Sequence, residues 1–181
     1  MNRVAKLAAM VTVLGACALS NGCATSAGSL KVMEPVAPDT LARFQHLNVV
    51  VEAAAGVPLS PDGQSTILGL ILTNVRTELP GRFQTLNAES PVTETLAVKV
   101  TITRYDDGNA FARFMLAGLG AMHIDGDVVL SESEENGRVL GRCAVAKTFA
   151  WGGVYGASTT ISDIQDGFAK AVVSAIGGKK E

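Results

Sequence analysis

Residues 122–149 read MHIDGDVVLSESEENGRVLGRCAVAKTF, and this stretch decides the fold. From position 122 to position 130, every second residue is apolar or glycine, and this period of two predicts a strand with one buried face. A charged loop follows and ends in Asn136-Gly137, a dipeptide typical of tight hairpin turns. Residues 139–149 then form the returning strand. The stretch therefore predicts an antiparallel β-hairpin.

Three segments before the hairpin predict further strands. Residues 47–52 contain three consecutive valines, which favours a short strand buried on both faces. Residues 82–86 are a shorter candidate. Residues 96–102 alternate apolar and polar side chains and predict a half-buried antiparallel strand, which the turn 106–109 ends.

Two segments have helical periodicity. Residues 62–79 place apolar side chains at four-residue steps and stop at Pro80-Gly81, which predicts an amphipathic helix. Residues 161–176 predict a second helix, with a capping box formed by Thr160 and Asp163 and an end at Gly177-Gly178. The side chains expected on the solvent face of the first helix are Gln64, Asn74, Arg76 and Glu78.

The predicted order is strand, helix, strand, three longer strands, helix. This order favours an α+β fold in which two main helices pack on a mostly antiparallel sheet. Residues 45–178 are long enough for a single domain with its own core. Residues 24–44 show no sustained period and contain two prolines, so they predict a flexible linker.

The first 23 residues have the pattern of a bacterial lipoprotein signal peptide. Arg3 and Lys6 precede an apolar run, and Leu14-Gly15-Ala16-Cys17 follows with an aliphatic residue three places before the cysteine. Cys17 would then carry a diacylglycerol and become the mature N-terminus. Cys23 is a second acceptor candidate, with a better-sized apolar segment but a serine at the aliphatic position. A conventional signal peptide and an uncleaved anchor stay open.

Charge excludes some partners. Removing Arg3 and Lys6 leaves 13 basic residues against 17 acidic ones, so the mature net charge is near −4. Binding to nucleic acid needs clustered lysine and arginine, and the sequence has no such cluster. It also has no polybasic patch for anionic lipid head groups. Attachment to a membrane would depend on the N-terminal lipid.

The residues that could support catalysis are few. His46 has no acidic neighbour in sequence. His123, Asp125 and Asp127 share one strand face and carry metal-ligand atoms, but the backbones of the outer two lie about 13 Å apart on strand geometry. The pattern favours a solvated polar face over a metal site, and the sequence predicts neither an enzyme nor a cofactor. Cys143 fits a small buried side chain in the returning strand.

Residues 111–122 are apolar except for Arg113, and they are too short to span a bilayer as a helix. We favour a tight crossover inside the core. The alternative is an exposed loop that binds a partner or touches a membrane. Arg113 should pair with a carboxylate or face a partner, and Gly118 and Gly120 should allow a positive φ or a close backbone contact. The carboxylates nearest in sequence are Asp106, Asp107 and Asp125.

The order of these motifs resembles a bacterial lipoprotein family known as domain of unknown function 4410. The resemblance covers about residues 45–178 and rests on the turn 106–109, Arg113 with Gly118 and Gly120, the strand through Gly126-Asp127-Val128 and the acidic hairpin. It implies an envelope domain without a known catalytic residue. The topology is also similar to the α/β domain of the curli-secretion lipoprotein, of penicillin-binding-protein activator lipoproteins and of the N-terminal domain of the Tol translocation protein.

Together these features predict a lipid-anchored protein of the bacterial cell envelope that faces the periplasm, at the outer membrane rather than the inner one. We expect a non-enzymatic interaction or assembly module with envelope protein partners, and a homo-oligomer stays open. The first alternative is a small-ligand, metal-binding or enzymatic domain that uses the face of His123, Asp125 and Asp127. The second is a ring- or pore-assembling subunit.

Overall fold

The six strands form one open, mixed sheet in this computed structural model, which describes residues 27–88, 93–116, 119–132 and 137–178. The strands are β1 (Ser29–Glu34), β2 (His46–Ala53), β3 (Thr85–Leu86), β4 (Thr95–Asp106), β5 (Met122–Ser131) and β6 (Val139–Phe149). Their order across the sheet is β1-β6-β5-β4-β2-β3. The first four strands in that order pair antiparallel, whereas β2 pairs parallel with both β4 and β3.

The helices of the described residues are α1 (Pro38–Ala42), α2 (Pro61–Glu78), α3 (Ala110–Met115), α4 (Gly153–Ser158) and α5 (Ile161–Ile176). The two long helices, α2 and α5, pack against each other and against the sheet. One hydrophobic core lies between them and the sheet. The predicted α+β class, with two main helices on a mostly antiparallel sheet, is therefore confirmed.

The predicted hairpin is present as β5 and β6. Met122 pairs with Phe149 and Val128 with Cys143, so the alternating apolar side chains of both strands face the core. Burial raises the pKa of the Cys143 thiol, as expected for a small side chain in an apolar environment. Asn136 of the predicted turn lies outside the described residues.

The helix boundaries follow from capping groups. At the start of α2, the Ser60 hydroxyl oxygen accepts a hydrogen bond from the Gly63 N–H at 3.1 Å. At the start of α5, Thr160 and Asp163 form the predicted capping box. The Phe168 ring of α5 is fully buried and packs over Gly126, where a Cβ atom would lie 3.0 Å from the ring. Glycine in β5 thus makes room for the main aromatic side chain of the core.

The predicted linker is wrong for its described part. β1 forms an edge strand on β6, and α1 follows it directly, with Leu30, Leu41 and Phe44 buried in the core. The domain therefore includes the chain from about Gly28 rather than from residue 45. A six-residue strand beside two prolines gives too short a periodic signal, and pairing with β6 is what orders it.

Three smaller expectations are also corrected. β2 is not buried on both faces, because Val50 points away from the helices and is 47% exposed. The predicted strand 82–86 is reduced to the two residues of β3. Asn74 does not face solvent: it is buried, and its side-chain amide donates to the Asp166 carboxylate of α5 at 3.0 Å.

Candidate functional site

Exposed apolar side chains concentrate at one end of the sheet. Of the eleven large hydrophobic residues that are exposed in the described part of the chain, eight lie on α3, α4 or the turns beside them. We call this surface the apolar platform. Its members are Phe111, Phe114, Met115, Leu116, Leu119, Trp151, Val154 and Tyr155. A soluble domain rarely leaves so many neighbouring apolar side chains in water without a use for them.

The first half of the platform begins with the predicted turn at 106–109. The Gly108 N–H donates to the Asp106 carboxylate at 2.9 Å, and Gly108 has a φ of +66°. The Asn109 side chain then accepts from the Ala112 N–H at 2.9 Å, which caps α3. The chain therefore forms a short surface helix here, and the predicted crossover inside the core is wrong.

The second half of the platform is fixed by aromatic contacts. The Tyr155 ring lies edge-on to the buried Phe149 ring at 5.6 Å and to the Trp151 ring at 6.3 Å between centroids. Gly156 lets α4 pack against the Trp151 backbone, since a Cβ atom there would lie 2.1 Å from the Trp151 carbonyl oxygen. The exposed aromatic residues are thus held by the core and are not loosely attached.

Arg113 joins the two halves. Its guanidinium is buried and donates from Nε to the Gly156 carbonyl at 2.9 Å, from Nη1 to the Gly120 carbonyl at 2.8 Å and from Nη2 to the Thr159 carbonyl at 3.2 Å. Three backbone acceptors from two separate segments therefore satisfy one cation. The side-chain partners are carbonyl oxygens, so the expected pairing with Asp106, Asp107 or Asp125 is wrong, and the buried guanidinium is not available to a partner.

Gly120 supports this arrangement through its backbone. It has a φ of +70°, as its predicted role requires, and its carbonyl accepts hydrogen bonds from both Arg113 and the Asn109 N–H. A Cβ atom at Gly120 would lie 2.4 Å from the Asn109 carbonyl oxygen. Gly118, the other glycine of the motif, lies outside the described residues.

The polar strand face of β5 lies elsewhere, on the side of the sheet opposite the long helices. His123 Nδ1 is 3.0 Å from the Thr148 hydroxyl oxygen, Asp125 pairs in register with Arg104, and Asp127 pairs with Thr101. Within the described ranges, no group of three His, Cys, Asp or Glu side chains lies close enough together to hold a metal ion. His46 Nδ1 lies 2.7 Å from the Thr85 hydroxyl oxygen, at the other end of the sheet.

The N-terminal segment leaves the domain at the end that carries the platform. Ser29 pairs with Ala146, and β1 runs antiparallel to β6, so the chain before Ser29 lies on the side of Phe149 and α4. The Gly28 N–H donates to the Gly167 carbonyl of α5 at 2.8 Å, which fixes the exit point. Cys17 and Cys23 lie outside the described residues. No helix within those residues has the length and apolarity to cross a membrane.

The α4 half of the platform was not predicted from the sequence. A signal for it was present, because residues 148–162 contain no charged side chain while they include Trp151, Val154 and Tyr155. Glycines at 152, 153 and 156 obscured the helical spacing, and a glycine-rich stretch is usually a loop. Only contact with Arg113 and Phe149 makes these residues one surface with α3.

Comparison with protein families gives a match at the same region. The model of the family described as "Domain of unknown function (DUF4410)" matches residues 71–153, from within α2 to the start of α4. The resemblance to this family is confirmed. The match includes Arg113, Gly120 and Trp151, but the family description assigns no activity to them. A search of the curated proteins finds no match.

Solved structures show the same fold. Two crystal forms of the PelC dodecamer from Paraburkholderia phytofirmans are similar to this chain, one of them a point variant. The variant gives a TM-score of 0.53 at 14% identity, and the other form 0.52 at 13% identity. Each alignment covers 85% of this chain and 99% of the PelC chain. At such low identity the likeness establishes the fold alone.

Proposed function

We propose that this protein is a lipid-anchored protein of the bacterial cell envelope whose domain is a non-enzymatic interaction and assembly module. In this proposal it faces the periplasm from the outer membrane and associates with further copies of itself. The single observation that carries the proposal is the fold shared with PelC, a protein that forms a dodecamer. The lipoprotein signal pattern with Cys17 and Cys23 supports the location.

The composition of the described surface is consistent with binding rather than catalysis. The histidines at 46 and 123 each contact a threonine hydroxyl. The guanidinium of the buried Arg113 donates its hydrogen bonds to backbone carbonyls. By contrast, an extended apolar surface is typical of a site that binds a macromolecule or a membrane.

The anchor is tested by intact-mass analysis of protein purified from membranes. We expect a mature N-terminal cysteine that carries a diacylglycerol, and replacement of that cysteine by serine should release the domain into the soluble fraction. An adduct on Cys23 would correct only the site. An unmodified N-terminus that begins elsewhere would refute the anchor.

Self-association is tested by light scattering on two forms of the full chain. A lipidated protein can cluster through its fatty acids, so the double variant Cys17→Ser, Cys23→Ser is the matched control. We expect both forms to have a mass several times that of the 18.7 kDa chain. A monomeric serine variant would show that the protein surface does not drive assembly and would refute this part of the proposal.

The alternative that uses His123, Asp125 and Asp127 makes an opposite prediction. If that face binds a transition metal or ligand, His123→Ala should abolish binding. Without a site there, the substitution should change the free energy of unfolding by no more than about 0.5 kcal/mol, because His123 lies on the surface and its contact with the Thr148 hydroxyl is exposed to water. Isothermal titration of zinc into the wild type and the His123→Ala variant distinguishes a metal site from a surface without one.

A further inference from the structure

We infer that the apolar platform inserts into the interfacial layer of the membrane that carries the N-terminal lipid, as a second and orienting attachment. The inference rests on the proposed anchor for its geometry. It adds a partner, a lipid surface, for a set of residues to which neither the family description nor the structural comparison gives a role.

The first argument is the position of the tether. Gly28 is fixed at the platform end of the sheet by its hydrogen bond to the Gly167 carbonyl of α5 and by the start of β1. Cys23 precedes Gly28 by five residues, so it cannot lie further from it than about 18 Å, and Cys17 no further than about 40 Å. Lipid on Cys23 therefore holds this end of the domain close to the bilayer, and lipid on Cys17 still permits the same contact.

The second argument is the chemistry of the surface. Residues 109–122 carry one charge, Arg113, which is buried, and residues 148–162 carry none. None of the eight platform side chains would therefore have to lose the hydration of a charge on entering the head-group region. The exposed carboxylates of Asp106 and Asp107 lie at the platform's edge, in the turn before α3. Phe111 is 74% exposed, Val154 is 77% exposed, and Trp151 and Tyr155 are about half exposed. Tryptophan and tyrosine are the side chains enriched at membrane–water interfaces.

The third argument is rigidity. The hydrogen bonds of Arg113 lock α3 to α4, and Tyr155 stacks edge-on against the buried Phe149. A surface that is already ordered loses little conformational entropy when it binds. A lipid chain gives attachment but no fixed orientation, whereas a rigid apolar surface beside the tether fixes which end of the domain meets the membrane.

Trp151 is the only tryptophan of the chain, which makes the test direct. The lipidated full-length protein is reconstituted into vesicles of phosphatidylethanolamine and phosphatidylglycerol, with or without brominated phospholipid. We expect Trp151 emission to be blue-shifted relative to the soluble double serine variant in buffer. Bromine in the lipid should quench this emission, and aqueous iodide should quench it several-fold less than in buffer.

Two other results would overturn the inference. Emission that iodide still quenches and brominated lipid does not would place the platform in water. Emission shielded from both quenchers would place it against protein, which is the result expected if a second copy covers it. Intact mass and light scattering on the same samples report the anchor and self-association separately, so failure of the proposed function is distinguishable from failure of the platform.

A paired substitution assigns the signal to the platform surface. Phe111→Ser with Val154→Ser changes its two most exposed apolar side chains and leaves Trp151 in place. We expect quenching by brominated lipid to fall several-fold while the circular dichroism spectrum is retained. The matched control is Val50→Ser, an exposed apolar residue on the sheet, which should leave quenching unchanged. If the pair fails to fold, Phe111→Ser alone is measured. Unchanged quenching in a folded variant would contradict the inference.

Discussion

The two ends of the sheet expose different kinds of side chain to solvent. At the end formed by the start of β6 and the end of β5, exposed charges pair across separate segments: Glu132 accepts from both Arg43 and Arg138, and Arg142 lies 3.4 Å from Glu34. At the platform end, eight apolar side chains are exposed and Arg113 is buried, with the exposed Arg104–Asp106 ion pair at the edge of this surface. One fold thus presents a hydrated end and an apolar end.

The difference shows how context decides what an arginine does. Arg138 is 68% exposed at its side chain, so water already solvates it and its ion pair adds little stability. Arg113 is 3% exposed, and three carbonyl oxygens replace the water that it loses. We therefore expect the apolar end to depend on individual polar contacts and the charged end to tolerate their loss.

The largest expected effect is that of Arg113→Ala. The substitution leaves the carbonyls of Gly156, Gly120 and Thr159 without this donor and should lower the free energy of unfolding by about 3 kcal/mol. The matched change at the charged end, Arg138→Ala, should cost no more than about 0.5 kcal/mol. Urea unfolding measures both. Equal losses would show that the two ends do not differ as the structure indicates.

A glycine pair tests whether α4 is packed as tightly as its contacts imply. Gly156→Ala would place a Cβ atom 2.1 Å from the Trp151 carbonyl oxygen and should destabilise the protein by about 2 kcal/mol. Gly69→Ala is the control, because Gly69 is an exposed residue of α2 and a Cβ atom there meets nothing within 4 Å. Its stability should instead rise by about 0.5 to 1 kcal/mol. Thermal unfolding measures the stability of both variants. A stability change of the same sign in both would contradict the tight packing of α4 against the Trp151 backbone.

The helix layer between the two ends contributes a pH dependence. Burial would raise the pKa of Asp166, but hydrogen bonds from Lys170 and Asn74 hold its pKa below the ordinary value. A lowered pKa stabilises the fold above the unfolded value of about 3.9, and this stability is lost as pH falls through the folded value. Asp166→Asn should cost about 1 kcal/mol at neutral pH. Its stability should then fall less than that of the wild type between about pH 5 and pH 3, as urea titrations at each pH would reveal.

The smallest expected effect is at the charged end. Glu132→Gln removes the negative charge that Arg43 and Arg138 share and should cost less than about 1 kcal/mol, because the side chains of both arginines are at least half exposed. Salt screens exposed pairs, so the difference should shrink further between 0.01 M and 1 M ionic strength. The Arg113→Ala loss, in contrast, should persist at high salt. A salt-sensitive Arg113 loss would mean that the guanidinium is solvated.

Much of the fold could be predicted where a periodic pattern ran for seven residues or more. α2, α5, β4 and the β5–β6 hairpin each bury one side, so their sequences repeat with the period of the element. β1 and α1 could not be found in this way, because six and five residues hold too few repeats, and pairing with β6 orders them. The pattern of α2 likewise predicts a solvent-facing Asn74, whereas the packing of α5 on α2 places Asp166 opposite it.

The sequence by itself determined the α+β class, the hairpin, the capping box of α5 and the lipoprotein signal pattern, since each depends on residues that are close in the chain. It also determined the net charge, which depends on composition alone. Only the tertiary structure decided the hydrogen-bond partners of Arg113 and the exposure of the apolar segment. Arg113 finds Gly156 and Thr159 more than 40 residues away, and no local pattern encodes a contact at that separation. The platform exists because that contact places two short helices side by side, with no further layer of the described chain over their apolar faces.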